Sequence, residues 1–298
     1  MALLAGVCYD PSTAVAKSCG SLLAMTAIDT TNLRLAFTAP ANGKVMVRLR
    51  CSVAGATTWP NILLGIMSGA SIIARQAPVG VISGSAVATT QVVHEAIFCL
   101  SGLSGSYTWD AAYGVEIILA STNINYGGPN NASGSNAWGG FVFEVWEAPG
   151  LLGCINYDPA AAVTKATTSL LAMTALDTTN LRITFTAPPS GKVLVRMVGA
   201  IHGATTFPNV MFGVLDGATV RGRCMPFGGL KNTALATARL TREGSFIVTG
   251  LTPGSSYSFD AAYAVQLVVA LTGIKYGGPN DTTTDNAFGA FSFEVWTA

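Results

Sequence analysis

The sequence predicts an all-β protein built from two tandem jelly-roll or β-sandwich domains. The first observation is an internal duplication, because Gly139–Trp146 returns at the C-terminus as Gly289–Trp296. The second is strict alternation of apolar and polar residues in short segments, which is typical of half-buried strands. The third is the turn residues that recur about every 8–12 residues, with no convincing amphipathic helix between them.

The duplication divides the chain into a first repeat, residues 1–148, and a second repeat, residues 149–298. The two copies align from Tyr9–Pro11 with Tyr157–Pro159. The segment between them, Glu147–Gly153, contains proline and glycine and is typical of a short linker. A domain of about 150 residues buries roughly 70% of the surface that its unfolded chain exposes, so each repeat can form its own core.

Alternation places the strands of the first repeat in chain order, about eight in all. Leu33–Phe37 is predicted to be a strand, and Ala39–Gly43 turns the chain. The next segment, Lys44–Val53, alternates cleanly between an apolar and a polar face. Its predicted inward residues are Val45, Val47, Leu49, Cys51 and Val53, and the second repeat places Val193, Val195 and Met197 likewise. Further strands are predicted at residues 62–67, 72–82, 87–100 and 107–119.

The closing strand of each repeat is rich in aromatic residues. In the first repeat, Phe141, Phe143 and Val145 point one way and Glu144 points the other. Aromatic and β-branched residues favour a central rather than an edge position in a sheet. Glu144 is then placed to pair with a basic residue on a neighbouring strand, for which the candidates are Lys44, Arg48 and Arg34.

The strand that begins at Tyr107 carries small residues on its outer side. In the first repeat this side includes Asp110, Ala112 and Gly114, and in the second it includes Asp260, Ala262 and Ala264. Small side chains let another backbone approach closely, so these six positions are candidates for a subunit interface. The alternative is a thinly covered surface.

The low content of charge predicts self-association. Charged residues make up 10% of the chain, against about 25% in an average soluble domain. So few charges leave a soluble monomer prone to associate, so we expect a homo-oligomer and favour a trimer. A surface rich in serine, threonine, glycine and asparagine is the alternative explanation.

Two classes of partner are excluded by composition. Nucleic-acid binding requires clustered lysine and arginine, whereas the net charge here is only +1. A membrane-spanning helix needs about 20 apolar residues, and the longest apolar run, residues 261–271, is shorter and contains Gln266. The N-terminus lacks the basic and apolar regions of a secretion signal.

The cysteines give no sign of a structural bridge or a metal site. The chain has six, and none recurs at the same position of both repeats. A disulfide or zinc site built into the duplicated unit would appear twice, and no C-x-x-C spacing is present. We therefore expect free thiols, assembly in a reducing cytoplasm, and neither a metal nor a cofactor.

No catalytic set is evident. The two histidines, His94 and His202, align with Arg242 and Ala54, so neither belongs to the duplicated unit. A paired-carboxylate glycosidase site that includes Asp110 is conceivable, but we favour structural roles for the acidic residues. The carboxylates kept in both repeats are Asp10/Asp158, Asp29/Asp177, Glu95/Glu243, Asp110/Asp260 and Glu144/Glu294.

Aromatic residues at loop edges are the remaining candidates for binding. These are Trp59 and Trp138 in the first repeat, with Phe207 and Phe288 at the matching positions of the second. Exposed aromatic rings at the end of a jelly roll can stack on sugars or anchor a protein partner. The alternative is that they pack beneath their loops.

Two resemblances add to this interpretation. The segment Tyr107–Tyr113, followed by Asn136–Phe141, resembles the jelly roll of tumour-necrosis-factor-like and complement-globular-head domains over about the last third of each repeat. The segment Phe37–Val45 resembles the jelly-roll cement or decoration proteins that sit on the capsids of tailed bacteriophages.

The second resemblance implies a non-enzymatic virion protein on the capsid surface, which would bind the major capsid protein and bridge neighbouring subunits. The duplication departs from the usual single-domain pattern of such proteins, which leaves the stoichiometry open. The alternative is a receptor- or glycan-binding module of a tail fibre, favoured by the loop aromatics. A carbohydrate-active enzyme that uses Asp110 and Glu144 is the third hypothesis.

Overall fold

The computed structural model describes residues 1–19, 24–54, 62–79, 82–83, 91–115, 123–128, 137–166, 172–202, 210–226, 239–265, 273–278 and 288–298. Regular structure in these ranges consists of β-strands in antiparallel sheets, which confirms the all-β prediction. Within the same ranges, no helix has the length and apolar character needed to cross a membrane.

The first repeat contributes two sheets. Its strands are β1 (Leu3–Tyr9), β2 (Val15–Ser18), β3 (Thr26–Ala27), β4 (Arg34–Thr38), β5 (Val45–Ala54), β6 (Ile62–Ser68), β7 (Ser71–Gln76), β8 (Ile82–Ser83), β9 (Gln91–Leu100), β10 (Ser106–Val115), β11 (Asn123–Tyr126) and β12 (Phe141–Glu147). Sheet I has the order β1-β12-β5-β11-β2, with β9 on the other side of β5. Sheet II has the order β3-β10-β6-β7, with β4 also on β10.

The second repeat forms an equivalent pair of sheets. Its strands are β13 (Leu151–Tyr157), β14 (Val163–Ala166), β15 (Thr174–Ala175), β16 (Arg182–Thr186), β17 (Val193–His202), β18 (Val210–Asp216), β19 (Thr219–Cys224), β20 (Arg239–Val248), β21 (Ser256–Val265), β22 (Gly273–Tyr276) and β23 (Phe291–Thr297). Sheet III contains β13-β23-β17-β20, with β22 on β17 and β14 on β22, and sheet IV contains β15-β21-β18-β19, with β16 on β21. The short β8 of the first repeat extends sheet III by pairing with β20.

Each repeat has its own hydrophobic core between its two sheets. One buried cluster extends from Cys19 to Val145, and another from Leu176 to Val295. The predicted inward faces of β5 and of the closing strand are confirmed, because these side chains are buried. They are Val45, Val47, Leu49, Cys51, Val53, Phe141, Phe143 and Val145. Two sandwiches with separate cores result.

The closing strands are central, as predicted. β12 lies between β1 and β5, and β23 lies between β13 and β17. Cross-strand register places Glu144 opposite Arg48, and Arg48 Nη1 is 3.5 Å from Glu144 Oε2. Of the three basic partners proposed for Glu144, Arg48 is therefore the one that the fold supplies.

A cluster of aromatic rings packs one end of each sandwich. Phe37 on β4 meets Trp109 on β10 edge to face, with ring centroids 4.7 Å apart, and Tyr107 lies 5.5 Å from Trp109. The second repeat rebuilds the cluster with Phe185 and Phe259, whose centroids are 4.9 Å apart. Such pairs add about 0.5–1.5 kcal/mol to the burial of the rings themselves.

A buried histidine should make the stability of the first repeat depend on pH. His94 lies on β9 opposite Cys51, and burial lowers its pKa to about 4. The unfolded chain binds this proton near pH 6.5, so the free energy of unfolding should fall as the pH drops from 6.5 towards 4. Between pH 7 and pH 5 we expect a loss of about 2 kcal/mol from this residue.

Denaturant unfolding at several pH values tests this expectation. His94→Gln should flatten the pH dependence above pH 5, where carboxylates have barely begun to titrate. His202→Gln leaves His94 in place and should retain its contribution. Equal slopes for wild type and His94→Gln would show that the imidazole is not kept neutral by burial.

Candidate functional site

The two predicted aspartates lie on β10 and β21, strands with neighbours on both sides, and each is paired with an arginine. Asp110 accepts hydrogen bonds from Nε and Nη2 of Arg34 at 2.7 and 2.9 Å. Asp260 accepts the same two bonds from Arg182 at 2.6 and 2.9 Å. Both aspartates are buried, and these bonds raise the pKa of each arginine. The carboxylates are therefore used in bidentate structural ion pairs.

The small residues beside these aspartates are buried within the chain itself. Ala112, Gly114, Ala262 and Ala264 lie in the buried parts of β10 and β21. The side of β10 that the sequence suggested as an outer one is therefore covered by the chain itself at these positions. A methionine just before β3 covers the small residues: a Cβ added at Gly114 would lie 3.0 Å from the sulfur of Met25.

The second repeat uses the same device. A Cβ added at Gly213, on the strand next to β21, would lie 2.6 Å from the methyl carbon of Met173. Met25 and Met173 occupy equivalent positions of the two repeats. In both sandwiches a methionine of the same repeat thus occupies the space that the small residues leave. A role of these positions in contacts between subunits stays a prediction.

The loop aromatics differ between the repeats. Trp59 and Phe207 lie outside the described residues. Trp138 is half-buried, and its carbonyl accepts a hydrogen bond from the Ser52 hydroxyl at 3.0 Å. Phe288 is buried, and the Lys275 ammonium lies 5.0 Å from its ring centroid. Equivalent rings thus have unequal exposure.

The other retained carboxylates also have structural partners. Asp29 caps its turn, since its Oδ1 accepts hydrogen bonds from the amides of Thr31 and Asn32, both at 2.9 Å. Asp177 repeats this capping in the second repeat. These bonds lower the pKa of both aspartates against the opposing effect of partial burial. Among the described residues, no group of three or more His, Cys, Asp or Glu side chains is placed to hold a metal ion.

The outer face of sheet I carries an open groove of about 520 Å³. Its polar centre is Arg48, whose Nε is 2.6 Å from Glu95 and whose Nη1 is 3.5 Å from Glu144. The indole of Trp146 donates a hydrogen bond to Glu144 at 3.0 Å. Apolar side chains form the rest of the lining: Met1, Met46 and Ile97.

The second repeat contains the same polar centre, but the first repeat covers it. Arg196 is 2.9 Å from Glu243 and 3.0 Å from Glu294, and the indole of Trp296 donates to Glu294. Arg196 also donates to the carbonyl of Ile97 on β9 of the first repeat, at 3.3 Å. Burial alone would lower the pKa of Arg196, but the two glutamates outweigh it and raise the pKa.

Apolar contacts surround this covered centre. Cys99 on β9 packs with Ala148 of the linker and with Leu151 of β13, while Met46, Cys154 and Trp296 lie against them. Burial raises the pKa of the Cys154 thiol to about 11 and that of Cys99 well above its usual range. Both thiols are free and protonated at neutral pH, so they serve here as small apolar groups.

A second set of contacts involves β7 of the first repeat. Arg75, whose side chain has no exposed surface, is bonded to Asp158 through Nε at 2.6 Å and Nη2 at 3.2 Å. Gln76 donates to the Ser292 hydroxyl at 2.7 Å. The Ala290 amide donates to the Arg75 carbonyl at 3.3 Å. We call these contacts of β7 and β9 with the outer face of sheet III the inter-repeat interface.

Sequence reasoning missed this interface. Asp158 was assigned a structural role with no partner named, and its partner is an arginine of the other repeat. A signal was present, because the basic residue and the acidic residue both occur twice: Arg75 matches Arg223, and Asp158 matches Asp10. A charged pair retained at both positions of a duplication points to a contact that the duplicated unit makes with its neighbour.

No family model and no curated protein matches this chain. Among solved structures, PNGase F, a glycosylasparaginase from Flavobacterium meningosepticum, has 10% identity and a TM-score of 0.37, with 98% of this chain and 96% of that one covered. The CBM22-1–CBM22-2 tandem domain of Xyn10C from Paenibacillus barcinonensis has 11% identity and a TM-score of 0.23, with 100% and 98% covered. At these scores the likenesses carry no argument about activity.

Proposed function

We propose that this chain is a non-enzymatic structural protein of a bacteriophage virion, a capsid cement or decoration protein that binds the major capsid protein. It would assemble in the host cytoplasm as a homo-oligomer, for which we favour a trimer, and bridge neighbouring capsid subunits. It would need no cofactor.

The observation that carries the proposal is the structural use of the carboxylates kept in both repeats. Asp110 and Asp260 hold arginines, Asp29 and Asp177 cap turns, and Glu144 lies in an ion-pair network. An acid–base pair for hydrolysis needs two carboxyl groups that face a substrate with different proton affinities. What the duplication has preserved is thus a set of packing devices, which supports an assembly role over catalysis.

Exposed apolar side chains on the outer face of sheet I support the same proposal. Met1, Leu3 and Val93 are large apolar residues that remain exposed there. Large exposed apolar patches mark interaction sites, so apolar residues left on this face support a contact with a partner. Charged residues make up only 10% of the chain, so few charges offset this exposed apolar face. Contact with a partner would remove the face from water.

A glycan-binding virion module is the second candidate, favoured by the groove on sheet I. Its lining combines one tryptophan with an arginine and two glutamates: Trp146, Arg48, Glu95 and Glu144. An aromatic ring with adjacent charged hydrogen-bonding groups is a common arrangement for sugars. In that case the groove would bind a host-surface glycan, and the protein would belong to the tail.

Electron microscopy of virions that lack this protein tests the two candidates. Purified protein added back should appear on the capsid shell and raise the temperature at which the particles release their genome. Density on the tail, with adsorption lost in Trp146→Ala, would replace the capsid role by the glycan role. Hydrolysis of a glycan, abolished by Asp110→Asn with Glu144→Gln, would overturn both.

A further inference from the structure

The inter-repeat interface joins two different surfaces, and the chain carries each of them twice. The first repeat contributes a donor surface, formed by β7 and the C-terminal part of β9. The second repeat contributes an acceptor surface, the outer face of β13, β23 and β17. Because the repeats are equivalent, a donor surface also exists on β19 and β20, and an acceptor surface on β1, β12 and β5.

Equivalent residues of the two acceptor surfaces differ sharply in exposure. Leu151 is 1% exposed beneath the first repeat, whereas Leu3, its counterpart on sheet I, is 51% exposed. The side chain of Glu294 is 2% exposed, and that of Glu144 is 22% exposed. The acceptor surface of the first repeat is therefore the same surface without its cover.

The donor surfaces show the opposite asymmetry. Cys99 is 2% exposed within the interface, whereas the matching Ile247 on β20 is 59% exposed. Arg75 is fully buried against Asp158, whereas Arg223 on β19 is exposed. An isoleucine with more than half of its surface in water is placed where its counterpart packs against another repeat.

The hairpins that present the two arginines are identical in register. Arg75 lies opposite Gly65 in the β6–β7 pair, and Arg223 lies opposite Gly213 in the β18–β19 pair. The carboxylate that would receive Arg223 is Asp10, which is exposed on the acceptor surface of the first repeat. The charge pair of the interface can thus be remade between copies.

The residues around this charge pair differ in polarity from those at the equivalent positions of the two open surfaces. Within the chain, Gln76 meets Ser292, which in turn is hydrogen-bonded to Asn156 at 3.4 Å, so the contact is polar on both sides. The equivalent positions of the open surfaces are all apolar or weakly polar: Cys224 on the donor side, with Val142 and Cys8 on the acceptor side. The two open surfaces therefore match each other in polarity, as the two covered surfaces do.

We propose that the donor surface of the second repeat, on β19 and β20, binds the acceptor surface of the first repeat in another copy of this chain. The arrangement is that of the inter-repeat interface, with Arg223 paired to Asp10 and Ile247 packed near Leu3. Such a head-to-tail contact joins unlike surfaces, so it builds a closed ring, or a filament if the rotation does not close. The proposal concerns the free protein and does not require the capsid role.

Charge reversal tests the pairing. Asp10→Arg and Arg223→Asp each place like charges together at a desolvated contact, so each should weaken association about a hundredfold or more. The double variant restores an opposite pair within every contact and should recover the wild-type oligomer. Light scattering and sedimentation measure the mass. Val220→Asp is the matched control, because Val220 is exposed and its counterpart Ile72 is not covered in the inter-repeat interface.

Cross-linking locates the contact in the unmodified protein. When chains of normal and heavy nitrogen are mixed and treated with a short bismaleimide, the expected product joins Cys8 of one isotope to Cys224 of the other. A wild-type chain that stays monomeric at about 100 µM would overturn the proposal, as would an oligomer indifferent to both charge reversals. Oligomers that form but do not bind capsids would refute only the capsid role.

Discussion

Replacing Asp158 with alanine should lower the free energy of unfolding by about 3–5 kcal/mol. The substitution leaves Arg75 without its carboxylate in a position where the arginine side chain has no exposed surface. A buried guanidinium that loses its partner keeps its desolvation cost without compensation. In guanidinium chloride, unfolding followed by tryptophan fluorescence should have its midpoint at a lower denaturant concentration than in the wild type.

The duplication provides the control for this experiment. Asp10 is the counterpart of Asp158 in the first repeat, and it is exposed. In dilute protein, where copies do not associate, Asp10→Ala should change the free energy of unfolding by no more than about 0.5 kcal/mol. Equal effects of the two substitutions would show that the ion pair between the repeats adds nothing to stability.

Trp109→Ala should lower the free energy of unfolding by a similar amount, about 3–5 kcal/mol. This is the range for the replacement of a buried Phe or Trp by alanine. Trp109 has no exposed surface, and its ring packs against both Phe37 and Tyr107 in the aromatic cluster of the first repeat. Removing the indole leaves a cavity that the two flanking rings can fill only in part. The loss should appear in denaturant unfolding at neutral pH.

Trp109→Phe is the matched conservative variant, because the second repeat carries Phe259 at this position. The indole Nε1 of Trp109 is buried and has no hydrogen-bond partner among the described residues. Phenylalanine removes that unsatisfied donor while it keeps most of the ring, so the expected loss is at most about 1.5 kcal/mol. A loss as large as that of the alanine variant would contradict a packing role.

The strands were predictable because a sheet imposes a period of two on side chains. Val45, Val47 and Leu49 are two residues apart in the sequence, so their side chains lie on the same face of the strand and all point into the core. The aromatic content of Phe141–Trp146 likewise indicated a central strand, since central strands are buried by neighbours on both sides. Such features need no knowledge of distant parts of the chain.

Coverage by distant segments was not predictable from alternation. The small residues on the outer side of β10 were interpreted as a subunit interface or a thinly covered surface, yet Met25 of the same chain lies over Gly114. Met25 lies in an irregular segment just before β3, where side chains follow no period, so nothing local shows which face it will cover. The same holds for Arg75, whose partner Asp158 is far along the chain. Only the comparison of equivalent positions in the two repeats would have connected these residues.

The short linker has a consequence for the order of assembly. Ala148 and Gly150 leave almost no slack between the last strand of one sandwich and the first strand of the next. Tethering of this kind gives an effective concentration in the millimolar range, which dilution cannot alter. The inter-repeat interface of one chain should therefore form during synthesis. The equivalent contact between chains can form only when the concentration of chains is high enough.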